Sequence, residues 1–545
     1  MWSLHLNVFT TVLPSICVLF LSYNIYELSQ LTQQFQTLNH QLSSTSNDTS
    51  GKAKTASVAW VEGEGKQPLS TYLRHVAEVL RLLGYEVVSG SEPEEWDVLW
   101  THEYSFARSR YADTIRRARP HQFVNHVPGS GYYTSKVSLV TSLSSEKTLK
   151  AFQLPKEKEA LINFAKSRPN LMWIQKDNTH RNIRVLNLEK MDLNKEDSFV
   201  QQFMDRPLLI DNRKFDIGIY TVVTSLHPLR VYIYEGDALI RFCSEDYNPF
   251  NIDSLDKYVV GDDYTPIWEI PSLRRFFVDQ QLGWKGALNE YLRRQNKNPQ
   301  KLWAQIEEII SEVFHKQQVK MLHALKLFPS KAKYFELSRF DFVVDEDLNV
   351  FLMEVFHKQQ VKMLHALKLF PSKAKYFELS RFDFVVDEDL NVFLMEANMS
   401  PNLSSEHFAQ NQVLYQEVLL NVFSLVGIAS SFSIEARRHQ LQDNSSPESS
   451  LISDHNIYVP LAHCSNDCSP CERKIECQLC AACMPPTTLA MLREVFIEHI
   501  NRRSMKALNF GIGEQKPLTK EDQILRMWQK EKCKGDPSWC HATTP

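Results

Sequence analysis

The stretch FDFVVDEDLNVFLMEANMSPNL, residues 382–403, has the pattern of a β-hairpin. Its first half alternates as one strand of a sheet does, the acidic run near Asp389 predicts the turn, and VFLME predicts the returning strand. A turn there places Asp383 and Glu396 opposite each other to within about one register step. Asn398 follows two residues after Glu396, on the same side of the pleat. Carboxylate and amide oxygens bind Mg²⁺, and a carboxylate emerging from the apolar run VFLM is costly without a partner. The sequence therefore indicates a metal site made of these three residues, with a solvated hairpin whose acids face water as the alternative.

Most of this hairpin occurs twice in the chain. Residues 313–354 and 355–396 are identical, with a period of 42 residues and no mismatch. Structural repeats form longer arrays with atypical ends, so this pattern indicates a recent duplication or an error in the gene structure, although a tolerated insertion is an alternative. The first copy continues with Phe356 where the second has asparagine, and a phenyl ring cannot bind a hard cation. We therefore expect Asp341 and Glu354 to be surplus and the first copy to bulge out beside the sheet.

Length and charge limit the general class of the protein. With 545 residues, 43% of them hydrophobic and 11% aromatic, the chain is expected to form two or more globular domains. Its formal net charge of -4 is small for this length, so we expect no nucleic-acid partner.

The N-terminus has the composition of a membrane segment. Residues 8–26, VFTTVLPSICVLFLSYNIY, carry no charge, and the run is about as long as a helix needs to cross a bilayer. We predict a signal anchor at residues 1–29, with a cleaved signal peptide or a peripheral apolar arm as alternatives. Lys and Arg are nearly absent from its flanks, so its orientation cannot be predicted. Residues 30–57 are polar and predict a stalk.

Periodicity predicts the elements that follow. SVAWVEGE, YEVVSG and WDVLWTHE have strand patterns, and between the first two lies a helix that ends at Gly84 and has apolar residues on one face, Leu69, Leu73, Val76, Leu80 and Leu83. This order predicts an α/β domain at residues 58–150. Residues 171–242 are rich in β-branched runs, and residues 300–323 have helical spacing at Leu302, Trp303, Ile306, Ile310, Val313 and Phe314. This second region is predicted to be α+β.

From about residue 58 to residue 426 the chain resembles the tubulin tyrosine ligase-like family of ATP-grasp enzymes. Apart from the extra 42 residues, the family's motifs occur in order and at matching spacing: FVNHVPGS (123–130) followed by Lys136, WIQK (173–176), VQQFMDRPLLIDNRKFDIGIYTVVTS (200–225), LIRF (239–242) and FDFVVDEDLNVFLMEANMSPNL. The resemblance implies an α+β ATP-grasp core at residues 151–427, with both copies inside it, and is nearest to membrane-anchored polyglutamylase-like members. A Ser-rich linker at residues 428–456 and a Cys-rich region at residues 457–545 follow.

The resemblance also implies a chemistry. Such ligases use ATP to convert a glutamate carboxylate into an acyl phosphate, which the amine of an incoming amino acid attacks. Glutamate is the favoured donor over glycine, and the acceptor is the acidic C-terminal tail of tubulin or a similar acidic protein. ATP and Mg²⁺ are the implied cofactors, and cations must lie against the phosphate oxygens.

The family's functional positions map onto this sequence residue by residue. The implied catalytic residues are Lys176, Lys214 and Arg241. Lys136, Lys176 and Lys214 would face the phosphates, with Arg241 nearby. Gln201 and the backbone beside it would meet the adenine, and Asp216 the ribose or the metal shell. The full nucleotide-binding set is Lys136, Lys176, Gln201, Gln202, Met204, Lys214 and Asp216, and Mg²⁺ would be held by Asp383, Glu396 and Asn398.

Two departures from the family pattern favour a second interpretation. The loop KDNTHRNIRV, residues 176–185, has no glycine, although backbone that wraps phosphates normally needs glycine's freedom. Gly218 stands where the family's KFD-x-Arg motif has an arginine that would contact the acceptor or the transition state. The alternative to an active ligase is thus a catalytically weak relative that serves as a membrane-anchored binding or scaffold protein.

The C-terminal cysteines suit either zinc or disulfides. Their number is even and several are spaced by two residues: Cys464, Cys468, Cys471, Cys477, Cys480, Cys483, Cys533 and Cys540. With a predicted anchor and with Asn-x-Ser/Thr sites at Asn47 and Asn444, disulfides in the secretory lumen are somewhat favoured. We therefore expect a single-pass membrane protein that faces the cytosol if tubulin is its substrate, and the lumen or the cell exterior if the cysteines are disulfide-bonded.

Overall fold

The computed structural model describes most of the globular part of the chain. The described residues are 57–65, 67–102, 104, 106, 110–119, 121–135, 139, 149–177, 184–186, 188–196, 198–204, 206–327, 333–334, 338–344, 350–354, 378–386, 392–399, 401–429, 452–461, 464, 468, 471, 474–508 and 519–540. No helix in these ranges is long and apolar enough to cross a membrane. The predicted anchor and stalk, residues 1–56, lie outside the described residues.

The described segments form a mixed α/β fold. The strands are β1 Val58–Glu62, β2 Glu86–Val88, β3 Val98–Thr101, β4 Phe123–Val124, β5 Ala151–Leu154, β6 Trp173–Asp177, β7 Arg184–Leu186, β8 Ser198–Gln202, β9 Leu209–Ile210, β10 Arg213–Leu226, β11 Leu229–Tyr234, β12 Leu239–Phe242, β13 Thr265–Pro266, β14 Lys333–Tyr334, β15 Ser338–Val344, β16 Val350–Glu354, β17 Glu378–Val386, β18 Val392–Met399 and β19 Met505–Ala507. The α-helices are α1 Arg74–Leu82, α2 Ala112–Arg117, α3 Gly131–Thr134, α4 Lys158–Lys166, α5 Pro271–Arg274, α6 Gly283–Arg294, α7 Pro299–Lys326, α8 Asn411–Leu425, α9 Pro486–Asn501 and α10 Lys520–Gly535.

The first sheet is parallel and has the order β14-β4-β3-β1-β2. The three strands predicted for the N-terminal region are β1, β2 and β3, so the expected strand-helix-strand-strand pattern is confirmed. Helix α1 ends before Gly84, whose φ of +87° lies in the left-handed region that ends a helix. Strand β14 at the edge of this sheet comes from the first copy of the duplicated segment.

The central sheet is built around the long strand β10. It has ten strands, with the path β13-β12-β10-β17-β18-β15-β16, while β9, β11 and β19 join at its sides. Apart from the half-buried Arg213, every residue of β10 is buried, which is why IGIYTVVTS reads as a continuous apolar run instead of an alternation. The long helix predicted from its spacing is α7, which begins with Pro299 behind the capping side chain of Asn298.

The expectation that the first copy bulges out beside the sheet is wrong. Strands β15 and β16 of the first copy lie within the central sheet. Because β15 has the sequence of β17, it pairs with β18 in the same register, and both Asp341 and Asp383 are opposite Glu396. Strand β18 therefore pairs with a strand of each copy.

The third sheet has four antiparallel strands in the order β5-β8-β6-β7. Its own small core contains Phe152, Leu154, Leu161, Trp173, Met191 and Val200. Ile174, Phe199, Phe203 and Met204, from this sheet and the segment that follows β8, belong instead to the large core shared with the central sheet.

The C-terminal segment, described here over residues 452–508 and 519–540 with the gaps given above, folds around a small core that includes Ile457, Leu479, Leu492, Trp528 and Trp539. All eight C-terminal cysteines are paired, as Cys464–Cys480, Cys468–Cys477, Cys471–Cys483 and Cys533–Cys540. Of the two alternatives for these cysteines, the structure shows disulfides and not zinc.

Candidate active site

Lys214 is a buried cation at the start of β10. Only 1% of the residue is exposed, and Nζ donates a hydrogen bond to the Tyr258 carbonyl at 2.8 Å. Nζ also lies 6.0 Å from the centre of the Phe203 ring. Burial lowers the pKa of Lys214 to about 8, although Cys243 and Asp216 act in the opposite direction. The ammonium is thus charged near neutral pH but is poorly compensated, as expected for a group that binds an anionic ligand.

Asp216 and Arg241 form a buried ion pair beside Lys214. They are register partners on β10 and β12, and only 2% of Asp216 and 7% of Arg241 is exposed. Arg241 Nε donates to Asp216 Oδ1 at 3.0 Å and Nη2 donates to Oδ2 at 2.6 Å. The Arg241 guanidinium also lies 5.9 Å from the centre of the Tyr264 ring. This two-bond arrangement fixes the planes of both groups.

The predicted metal ligands lie on the neighbouring strands β17 and β18. Asp383 is directly opposite Glu396, so the hairpin register expected from the sequence is confirmed. A bulge follows between Asp383 and Phe384, and Asn398 lies two residues beyond Glu396 opposite Arg381. Three oxygen-bearing residues at adjacent register positions have the donor chemistry that Mg²⁺ requires.

Gly218 lies between the buried Asp216–Arg241 pair and the predicted metal ligands. Through its register on β10 it is paired with Asp383 on one side and with Leu239 on the other. It is two residues from Asp216 on the same strand, so the buried ion pair and the predicted metal ligands belong to one contiguous part of the sheet. The position at which the family motif has an arginine is therefore next to Asp383.

Lys176, predicted for the phosphates, and Gln201, predicted for the adenine, lie on the four-stranded sheet, and the predicted nucleotide-binding residue Met204 follows β8. Lys176 on β6 is 1% exposed, and Gln201 on β8 is fully buried, with its Nε2 3.5 Å from the Leu149 carbonyl. Gln202 is half-buried and Met204 is buried. Phe203, between these two, contacts Lys214 and so brings the end of β8 against the start of β10. The structure thus brings Lys214, Asp216 and Arg241 together on β10 and β12. The end of β8 lies next to them through the contact between Phe203 and Lys214.

Some predicted features lie outside the described residues. These are Lys136 and the glycine-free loop at residues 178–183. For Asp383, Glu396 and Asn398 the structure describes the backbone and its pairing.

Several residues of the site were not expected from the sequence. The backbone amide of Cys243 donates to the Lys214 carbonyl at 2.8 Å. Burial raises the pKa of the Cys243 thiol to about 12, so the thiol stays protonated. Tyr258 supplies the carbonyl for Lys214, and Tyr264 contacts Arg241. Cys243 directly follows LIRF and could have been found from that motif, whereas the two tyrosines lie in a segment without a recognisable pattern.

The sequence profile described as "Tubulin-tyrosine ligase family" matches residues 115–362 and 357–434. The chain belongs to the tubulin-tyrosine ligase family. The probable tubulin polyglutamylase ttll-15 of Caenorhabditis elegans is 48% identical over 487 residues, which is 89% of this chain and 86% of that protein. The tubulin polyglutamylase TTLL6 of Mus musculus is 28% identical over 49% of this chain and 34% of its own length. The tubulin monoglutamylase TTLL4 of Mus musculus is 26% identical over 48% of this chain and 23% of its own length.

These similarities confirm the family expected from the motifs and the polyglutamylase-like character of the ligase. The two segments that match the family overlap at residues 357–362, just after the boundary between the two copies. The matched region contains Lys136, Lys176, the β10 residues and the hairpin of the predicted metal ligands. It ends before the C-terminal disulfide region.

Proposed function

We propose that the chain is an ATP- and Mg²⁺-dependent ligase of the ATP-grasp type that adds an amino acid, with glutamate favoured, to glutamate side chains of an acidic protein. The acceptor is the C-terminal tail of tubulin or a segment of similar charge. ATP supplies the phosphoryl group that activates the acceptor carboxylate. The names of the similar proteins, two polyglutamylases and a monoglutamylase, support glutamate as the donor.

One observation carries this proposal. Strand β10, which carries Lys214, pairs with β12, which carries Arg241, and with β17 of the proposed metal-binding hairpin, and Gly218 is opposite Asp383. Phosphoryl transfer needs cations and a divalent metal against the same oxygens, and little covalent chemistry from the protein.

The residues present fit both groups. Lys214, buried and charged near neutral pH, and Lys176, equally buried, would hold phosphate oxygens. Asp383, Glu396 and Asn398 would hold Mg²⁺. Asp216 keeps Arg241 in one orientation at the edge of this group, which is a positioning role.

The proposal includes an N-terminal membrane anchor. Its support is the uncharged segment at residues 8–26. The anchor would leave the globular part tethered through a polar stalk.

The test uses the purified full-length chain. Mg-ATP binding is measured by calorimetry, and transfer of labelled glutamate and glycine is measured on tubulin and on a glutamate-rich peptide. We expect binding and glutamate transfer, and we expect Lys214→Met and Glu396→Gln to abolish transfer. Lys166→Met, at the exposed end of α4, is the matched control and should behave as the wild type. Absence of nucleotide binding would refute the proposal.

A second function is favoured by Gly218 and by the Asp216–Arg241 pair, in which the arginine charge is already compensated. In that case the chain binds Mg-ATP and an acidic partner without ligating an amino acid. Tight nucleotide binding without transfer to either acceptor would establish this alternative.

A further inference from the structure

The C-terminal segment forms part of the sheet that carries the proposed site. Strand β19 pairs antiparallel with β11, with Tyr232 opposite Ala507 and Tyr234 opposite Met505. Two more backbone hydrogen bonds extend this edge, from Leu508 to Val231 at 2.8 Å and from Glu235 to Ser504 at 2.9 Å. Without β19, the backbone edge of β11 would have no strand partner on this side.

A buried carboxylate of the C-terminal segment neutralises a buried arginine of the central sheet. Glu498 on α9 is 9% exposed and accepts hydrogen bonds from Thr224 at 3.0 Å, Tyr232 at 2.9 Å and Arg230 at 3.1 Å. Burial lowers the pKa of Arg230, but the carboxylates of Glu498 and Glu494 outweigh this effect, and the pKa is raised. Because Arg230 is 7% exposed, loss of Glu498 would leave this buried charge with the carboxylate of Glu494, 3.4 Å away, as its remaining acidic partner among the contacts described here.

A second acid makes a similar connection. Asp522 belongs to the capping box at the start of α10, where it exchanges hydrogen bonds with Thr519. Asp522 also accepts from the Leu229 amide at 2.8 Å and from Gln318 Nε2 of α7 at 3.1 Å. The two acids thus satisfy polar groups of the β10–β11 hairpin that no residue of the family-matched region satisfies among the contacts described here. The hairpin depends on the C-terminal segment.

Disulfides hold that segment together. The three bonds within residues 464–483 enclose the turn that places the fully buried Leu479 in its core. The Cys533–Cys540 bond links α10 to the turn that contains Trp539. The Trp539 ring stacks on the ring of His499 on α9, the residue after Glu498, with ring centres 3.4 Å apart. A core this small is rarely stable without such crosslinks.

Disulfides of this kind form and persist in oxidising compartments and are rare in the cytosol. We propose that this chain folds and acts in an oxidising compartment, the secretory lumen or the cell exterior. Of the two acceptors named under the proposed function, this compartment selects the acidic segment of another protein over a cytosolic tubulin tail. The part of this inference that concerns the acceptor rests on the proposed function. The part that concerns the compartment rests on the disulfides alone. The sequence motifs at Asn47 and Asn444 agree with it.

The first test measures the cysteines in the cell. The full chain is expressed in animal cells, free thiols are blocked with a maleimide before lysis, and peptides are mapped without reduction. We expect the four disulfide pairs named above. Maleimide on the eight C-terminal cysteines would overturn the inference, whatever the activity of the protein.

The second test measures the dependence on oxidation. Three preparations of the oxidised full chain are compared in glutamate transfer to a glutamate-rich peptide: untreated, alkylated without reduction as the matched control, and reduced before alkylation. We expect only the last to lose transfer, by about tenfold or more, because removing native disulfides from a small domain often abolishes its folding. Full transfer after reduction would overturn the inference. Four disulfides with no transfer in any preparation would support the compartment and refute the proposed ligase.

Discussion

Arg241 donates two hydrogen bonds to the Asp216 carboxylate, and both side chains are buried within the central sheet. We predict that Asp216→Asn lowers the free energy of unfolding by about 3–5 kcal/mol, because the buried arginine loses the negative charge to which it donates both of these hydrogen bonds. The double variant Asp216→Leu with Arg241→Met should recover most of this loss, since it removes both charges. Urea unfolding measures both values. A double variant as unstable as the single one would show that the pair is not the cause.

The lowered pKa of Lys214 predicts two pH dependences of opposite sign. The pKa is about 8 in the folded chain against 10.5 in the absence of the fold. Between these values the unfolded chain binds more protons, so the free energy of unfolding should rise with pH across this window, by at most about 3 kcal/mol. Affinity for ATP should instead fall as pH rises through 8, because the ammonium that faces the phosphates loses its charge.

The measurements for this prediction are urea unfolding and ATP calorimetry at pH 7, 8 and 9.5. Lys214→Met should remove both dependences, whereas the exposed Lys166→Met should keep them. An ATP affinity that is constant from pH 7 to 9.5 would place Lys214 outside the phosphate site.

The local elements of the fold could be predicted from the sequence, because their patterns are short. The spacing of Leu302, Ile306 and Ile310 gave helix α7, and the turn near Asp389 gave the register that puts Asp383 opposite Glu396. The pairing of Arg230 with Glu498 could not be predicted, since 268 residues separate them and each looks like a surface charge in isolation. Cysteine spacing alone left zinc and disulfides equally open.

The position of the first copy was predicted wrongly for a physical reason. Its continuation by Phe356 shows that it lacks the third oxygen ligand, but strand pairing depends on the strand itself. Because β15 and β17 share the sequence SRFDFVV, β18 pairs with both in the same register. Ligand chemistry and sheet position are thus separate questions, and only the first can be answered from the residue that follows each copy.

Glu498 tests the contribution of the C-terminal segment to the central sheet. We predict that Glu498→Ala lowers the free energy of unfolding by about 3–5 kcal/mol, because Thr224 and Tyr232 lose this acceptor and the buried Arg230 keeps only the carboxylate of Glu494, 3.4 Å away, among the contacts described here. The exposed Glu476→Ala, in the same segment, is the control and should change stability by less than about 0.5 kcal/mol. Urea unfolding of the full chain decides between them. Equal stability of the two variants would mean that the segment does not brace the β10–β11 hairpin.

The two copies predict unequal effects of one substitution. In the full chain Asp383→Asn should weaken Mg²⁺-dependent ATP binding about tenfold or more, because only the second copy continues into Asn398. Asp341→Asn, at the matching position of the first copy, is the control and should have little effect. Calorimetry at varied Mg²⁺ measures both. Equal losses would show that either copy serves as the partner of Glu396.

Deleting one copy tests whether a single hairpin is enough for Mg-ATP binding. Removing residues 313–354 or residues 355–396 gives the same sequence, because the copies are identical. We predict that the shortened chain keeps Mg-ATP binding, since one hairpin that runs into ANMSPNL supplies all three proposed metal ligands. In the shortened chain, changing the aspartate that corresponds to Asp383 to asparagine should abolish Mg²⁺-dependent ATP binding. Loss of nucleotide binding on deletion alone would show that the first copy is required by the fold.

Gly218 predicts a gain of function. The register places it beside Asp383, at the position where the family motif has an arginine. Gly218→Arg should raise glutamate transfer by about tenfold or more, because a guanidinium here stabilises charge that develops on the acceptor side of the reaction. Affinity for ATP should change little. Gly218→Met has a side chain of comparable length without the charge, so it is the matched control and should not raise transfer. An arginine variant that folds, binds Mg-ATP and transfers no faster than the wild type would show that the missing charge is supplied elsewhere in the site.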